Sequence, residues 1–249
     1  MKSDALWRIT SAKEKLTNLN HLESHEIYDG LWQEAMDYFK TGKVQTDSFL
    51  LDRQNDRRLG LTVIARPNHE VVKQIGSMLD HLKQIDPDQY YYQNSEIHIT
   101  ILSLFTATED FEPHFSNFSR YLAAVDTALS KAKQFSVEFT GITASKSAVM
   151  VQGFPRDAQL DEIRERLRQA LGDSELGQGL DTRYRIRTSH STVMRFQVQP
   201  RTIEPLTQAL KTYRETDFGV TAFTRLQLVK NDWYMSTGRV EVLAEYSLD

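Results

Sequence analysis

The chain has 249 residues, with 30 Lys and Arg against 34 Asp and Glu, no cysteine, 40% apolar residues and 10% aromatics. That length builds a sizeable core in one large domain or two packed lobes, and the composition rules out disordered, collagen-like and mucin-like chains. The missing thiols exclude disulfides, thiolate zinc, iron–sulfur clusters and a cysteine nucleophile and fit a cytoplasmic location, while the net charge of -4 opposes an extended nucleic-acid track.

In chain order, Lys2, Asp4, Arg8, Lys13, Glu14 and Lys15 make the amino terminus too charged for a signal-peptide core. Nowhere does an uncharged apolar run reach the roughly 18 residues of a membrane helix. Tyr28, Leu31, Trp32, Ala35, Met36 and Phe39 recur at helical spacing before Gly42, so the stretch from Met1 to about Val44 is expected to be helical. The β-branched run at residues 59–65, closed by Arg66-Pro67, predicts a buried strand. Val71, Val72, Ile75, Met78, Leu79 and Leu82 predict a helix that Asp86-Pro87 ends. A strand at 97–105 and a helix marked by Phe115, Phe118, Tyr121, Leu122, Val125 and Leu129 complete the first half.

Strands at 135–142 and 148–154 follow, then a helix on Leu160, Ile163, Leu167, Ala170 and Leu171 closed by Gly172. A flexible stretch is expected around Gly177-Gln178-Gly179. A strand at 186–198, a helix near 203–213, and strands at 220–229 and 234–246 end the chain. The strand–helix–strand order thus occurs once in each half. This organisation predicts an α+β fold with a helical extension over residues 1–50 and a single domain over 51–249. Its two lobes would span about 59–134 plus the C-terminal strands, and about 135–230.

Two of the seven histidines fall in strand patterns, in Glu96-Ile-His98-Ile-Thr100 and Ser189-His190-Ser-Thr192. Side chains alternate faces along a strand, so His98 shares a face with Thr100 and His190 with Thr192. Seven histidines in a threonine-containing chain make one H-x-T an ordinary coincidence, and His114-Phe-Ser116 at a helix start is a cheap relaxed match. The two pairs stand out because each ends the same strand–helix pattern in its own half. The plain alternative is two core histidines, each bonded to a nearby threonine.

Other chemistry finds little support. Neither a P-loop, nor G-x-G-x-x-G, nor a G-x-S-x-G elbow occurs. His21 and His25 have helical metal-ligand spacing but no third ligand or H-E-x-x-H glutamate, so neither a metal nor a cofactor is expected. Around the pairs, Arg195 would face away from Thr192 in an ideal strand unless a bulge re-aims it, and Arg185 and Arg187 are either a source of local positive charge or solvated strand-edge residues. Tyr90, Tyr91 and Tyr92, the Trp233-Tyr234 pair, Phe105 and Phe196 are candidates either for base stacking or for packing. Of all these, Arg195, Tyr92, Phe196 and Tyr234 are the expected substrate-binding residues. Alternation puts Glu96 on the His98 face, where it either orients that ring or marks the strand end.

The pair of H-x-T motifs, one per half, resembles the two-histidine (2H) phosphoesterases, a superfamily that includes bacterial RNA 2′,3′-cyclic phosphodiesterases and "2′-5′ RNA ligase" proteins. The resemblance covers roughly residues 59–246. It implies a bilobal pseudo-twofold fold, two antiparallel-rich sheets with flanking helices around a central groove. His98, Thr100, His190 and Thr192 then occupy the four functional positions. The implied activity is metal-independent cleavage of a 2′,3′-cyclic phosphate or a 2′-5′ phosphodiester, on a small nucleotide or RNA end. One imidazole would act as base and one as acid, with the threonines holding phosphate oxygens. The alternative is a module that binds such a ligand without turnover. The extension departs from the shortest family members.

Overall fold

A computed structural model describes the chain over residues 2–177, 180 and 185–249, with side chains from residue 21 onward. The glycine-rich stretch expected around Gly177 lies largely outside the described residues.

Helix α1 (Lys2–Phe39) comes first. The apolar run from Leu59 to Ala65 forms strand β1 (Leu59–Ala65), almost wholly buried because neighbours flank it on both edges. Helix α2 (His69–Ile85) is capped by Asn68, whose side chain accepts from the Val71 amide, and it turns its six expected apolar residues inward. A two-residue strand, β2 (Tyr90–Tyr91), precedes β3 (Ile99–Thr108). The next predicted helix is broken: Phe115 ends the short α3 (Glu112–Phe115), and α4 (Phe118–Leu129) starts afresh.

Strands β4 (Phe135–Ser145) and β5 (Ala148–Pro155) form a hairpin followed by α5 (Gln159–Asp173). The strand expected over 186–198 shrinks to β6 (Ser191–Arg195). Side chains take the backbone groups that a longer ladder would need. Tyr28 receives the Ser189 amide, Arg164 donates to the Thr188 carbonyl, and Gln89 receives the Gln197 amide. After α6 (Glu204–Thr212), the run expected as one strand over 220–229 is two, β7 (Asp217–Phe223) and β8 (Arg225–Asn231). The last strand, β9, begins only at Glu241 (Glu241–Ser247). Ahead of it Asp232 closes a turn by accepting from Ser236.

All pairings are antiparallel and make two sheets, ordered β3-β1-β8-β9 and β2-β6-β5-β4-β7. At Thr224 the chain passes from the second sheet to the first, so its final strands complete the sheet that β1 began. Helix α1 lies against β4 and β5, α2 against β7, and α4 packs on α5, which reaches β3. Ala35, Met36, Phe39 and Val44 share one continuous apolar core with residues of both sheets.

Candidate active site

The two H-x-T motifs occupy equivalent positions. His98 immediately precedes β3 and His190 immediately precedes β6, and Thr100 and Thr192 are each the second strand residue. Each strand then carries one extra residue against its partner. Val63 pairs with Leu102 and Ile64 with Thr100, leaving Ile101 as the bulge; Val149 pairs with Met194 and Met150 with Thr192, leaving Val193. Burial follows suit. Thr100 and Ser103 are half-buried around two buried residues, and so are Thr192 and Arg195. The bulge therefore returns Arg195 to the side of Thr192, against ideal alternation.

His98 and His190 are both half-buried. His98 Nδ1 lies 2.6 Å from the Glu96 carbonyl oxygen, which can only accept, so the neutral ring carries its proton on Nδ1 and its lone pair on Nε2. His190 Nδ1 lies 2.9 Å from the Thr188 hydroxyl, which can donate or accept, so either tautomer is accommodated. Burial pushes both imidazoles down to about 4; nearby Arg66 and Arg195 add to this at His98, and Arg164, His98 and Arg195 at His190. The two rings thus feel one another and share the field of Arg195, which Tyr92 holds through a 2.9 Å bond from Nε to its hydroxyl. Half-buried threonines, neutral imidazoles and a guanidinium are groups of the kind that bind phosphate oxygens.

Glu96 meets His98 through its backbone carbonyl. Its buried carboxylate instead accepts from Tyr90 (2.8 Å), the Gln93 amide (2.9 Å) and the Thr237 amide (2.9 Å), tying the turn before β9 to the first motif.

Three of the residues expected to bind substrate are buried. Phe196 is fully enclosed and sits edge-on to Phe39 of α1, so it is core. Tyr92 and Tyr234 are buried as well, and their phenols receive Arg195 and Arg58 instead of offering a face to a base. Phe105 packs on His114, Phe115 and Tyr121. Arg185 and Arg187 are exposed and pair with Glu165 and Glu23. His21 and His25 pack on Phe154, and among the described residues no group of three His, Asp or Glu is placed to hold a metal.

Sequence reasoning missed Arg66, Arg164, Thr188 and Tyr28. Arg164 had a readable signal: it lies on the buried stripe of α5, between Leu160 and Leu167, where a charged residue needs a purpose.

A family model for the 2′-5′ RNA ligase superfamily matches residues 71–232. Among solved structures, the chain is similar to TT0787 of Thermus thermophilus (16% identity, TM-score 0.52, covering 76% of this chain and 97% of that one). It is also similar to ATU0111 of Agrobacterium tumefaciens, a conserved protein of unknown function (16%, 0.52, 78% and 87%), and to a structure described as a phosphoesterase (14%, 0.50, 76% and 98%). At these identities the likeness establishes a shared fold. No curated protein matches the chain significantly. Among the described residues, no helix is long and apolar enough to cross a membrane.

Proposed function

The chain belongs to the 2′-5′ RNA ligase superfamily, and from that premise we propose that it is a metal-independent phosphoesterase acting on a 2′,3′-cyclic phosphate or 2′-5′ phosphodiester of a small nucleotide or RNA end. The observation that carries this reading is the repeated geometry of the two strand starts: a histidine, a half-buried threonine on the second strand residue, and a bulge directly after it.

In the hydrolysis of a cyclic phosphate, water forms a new P–O bond while one ring P–O bond breaks. One imidazole takes the proton of the water, and the other gives a proton to the departing ribose oxygen. Thr100, Thr192 and Arg195 would hold the non-bridging oxygens where charge builds. The fixed Nδ1–H of His98 supports Nε2 as its reacting atom.

The test is a nucleoside 2′,3′-cyclic monophosphate with EDTA present. A phosphomonoester should form, and His98→Ala and His190→Ala should each lower kcat by on the order of 10²- to 10⁴-fold. Binding without product would instead favour a sensor of nucleotides or RNA ends. Full rates in both variants would remove the histidines from the chemistry.

A further inference from the structure

Arg164 projects from α5 with its side chain only 1% exposed. Nε donates to the Ile101 carbonyl at 3.1 Å, and Nη2 donates to the carbonyls of Thr100 at 3.2 Å and Thr188 at 2.8 Å. Ile101 is the bulge residue of the first motif strand, where ladder pairing is interrupted, and Thr188 lies in the irregular segment before β6. One planar group thus holds the backbone of both motifs, one from each sheet. Its grip falls two residues after His98 and two residues before His190.

The arrangement is expensive as architecture. Among the described residues the carboxylate that pairs with it is that of Asp161, 3.7 Å from Nη1, and Nη1 makes no hydrogen bond. What offsets its burial is the set of three backbone carbonyls it serves, so an apolar replacement leaves those acceptors without their donor and also costs folding stability. Lysine, whose donors sit on one compact ammonium nitrogen, cannot span three carbonyls with the same geometry.

We propose that Arg164 is a positioning residue that sets the separation of His98 and His190 by bracing both motif backbones with one guanidinium. This rests on the two histidines being the reacting groups. Thr188 passes the constraint on directly, because its carbonyl receives Arg164 while its hydroxyl meets the His190 ring. Catalysis between two groups flanking one phosphorus is sensitive to their spacing, and about 1 Å of misplacement can cost on the order of 10²-fold.

The test compares Arg164→Met, which keeps volume and loses every donor, with Arg164→Lys, which keeps charge. Turnover of the cyclic nucleotide is normalised to the fraction folded in a thermal melt. Both variants should lose kcat by on the order of 10²-fold with a much smaller change in KM. A role in folding alone predicts unchanged kcat per folded molecule, and that result in either variant overturns the proposal; if Arg164→Met does not fold, Arg164→Lys decides. A readout without substrate separates this failure from failure of the activity itself. Nitrogen-15 titration of the His190 imidazole should show a midpoint shift on His98→Ala in the Arg164 protein, and a diminished one in the Arg164→Lys background. An equal shift in both backgrounds overturns the proposal, whether or not the protein turns over; inactivity of the parent protein counts against the proposed function only.

Discussion

At the scale of single residues, the site keeps both imidazoles neutral. Burial does most of this, and Arg66 and Arg195 add to it at His98. The proposed acid–base chemistry needs one ring protonated and the other not before substrate binds. With both groups near 4, well below the ordinary 6.5, that form peaks on the acid side. The kcat/KM for a cyclic nucleotide should therefore rise as pH falls from 7.5 toward 5. Arg66→Gln removes a cation from beside His98, raises its pKa and should move the profile to higher pH. A neutral optimum that ignores the substitution would contradict this account. The placement of both H-x-T motifs at strand starts was legible because a strand's apolar pattern is a local signal. The aromatic residues were not. Whether Tyr92 or Tyr234 shows a face depends on what distant segments lie over it, and Arg58 reaches Tyr234 from the irregular segment just before β1, 176 residues away in the chain.

At the scale of elements, β5 lies unusually close to the segment carrying His190. A side chain at Gly153 would place its first carbon 2.2 Å from the Ser189 carbonyl oxygen and 3.0 Å from a methyl of Val137. The Tyr28 hydroxyl fixes the same contact by donating to the Gly153 carbonyl and accepting from the Ser189 amide. Gly153→Ala should cost about 1–3 kcal/mol, as overpacking does, read as a lower urea midpoint. It should also lower kcat, because the displaced segment carries His190; unchanged values of both would show the segment to be free. Most elements could be read from apolar periodicity, as in α2 and β1. Among those that could not, β2, β6, β7 and β8 each have a physical reason. β2 is too short to have a period, and β6 loses its ends to Tyr28, Arg164 and Gln89 side chains. β7 and β8 exchange sheets at Thr224 within one unbroken strand-like run.

At the scale of the whole molecule, α1 is a structural wall of the second sheet. Tyr28, Ala35, Met36, Phe39 and Val44 are all buried, and the backbone of Val44 is bonded on both sides by Gln199. Removing residues 1–44 should therefore abolish cooperative unfolding in a circular-dichroism melt. A sharp transition in the shortened chain would show that α1 is dispensable. The last turns of the helix were readable in the spacing from Tyr28 to Phe39, but its docking was not, because the partners lie more than a hundred residues away. The crossing at Thr224 also sets an order of events during synthesis. The second sheet draws four of its strands from one continuous stretch ending at Phe223, whereas β1 waits for Asn231 and its neighbours before its second edge is covered. The half made first is thus the half finished last. An emerging chain must shelter an apolar strand through most of its own translation, a period in which a chaperone has something to hold.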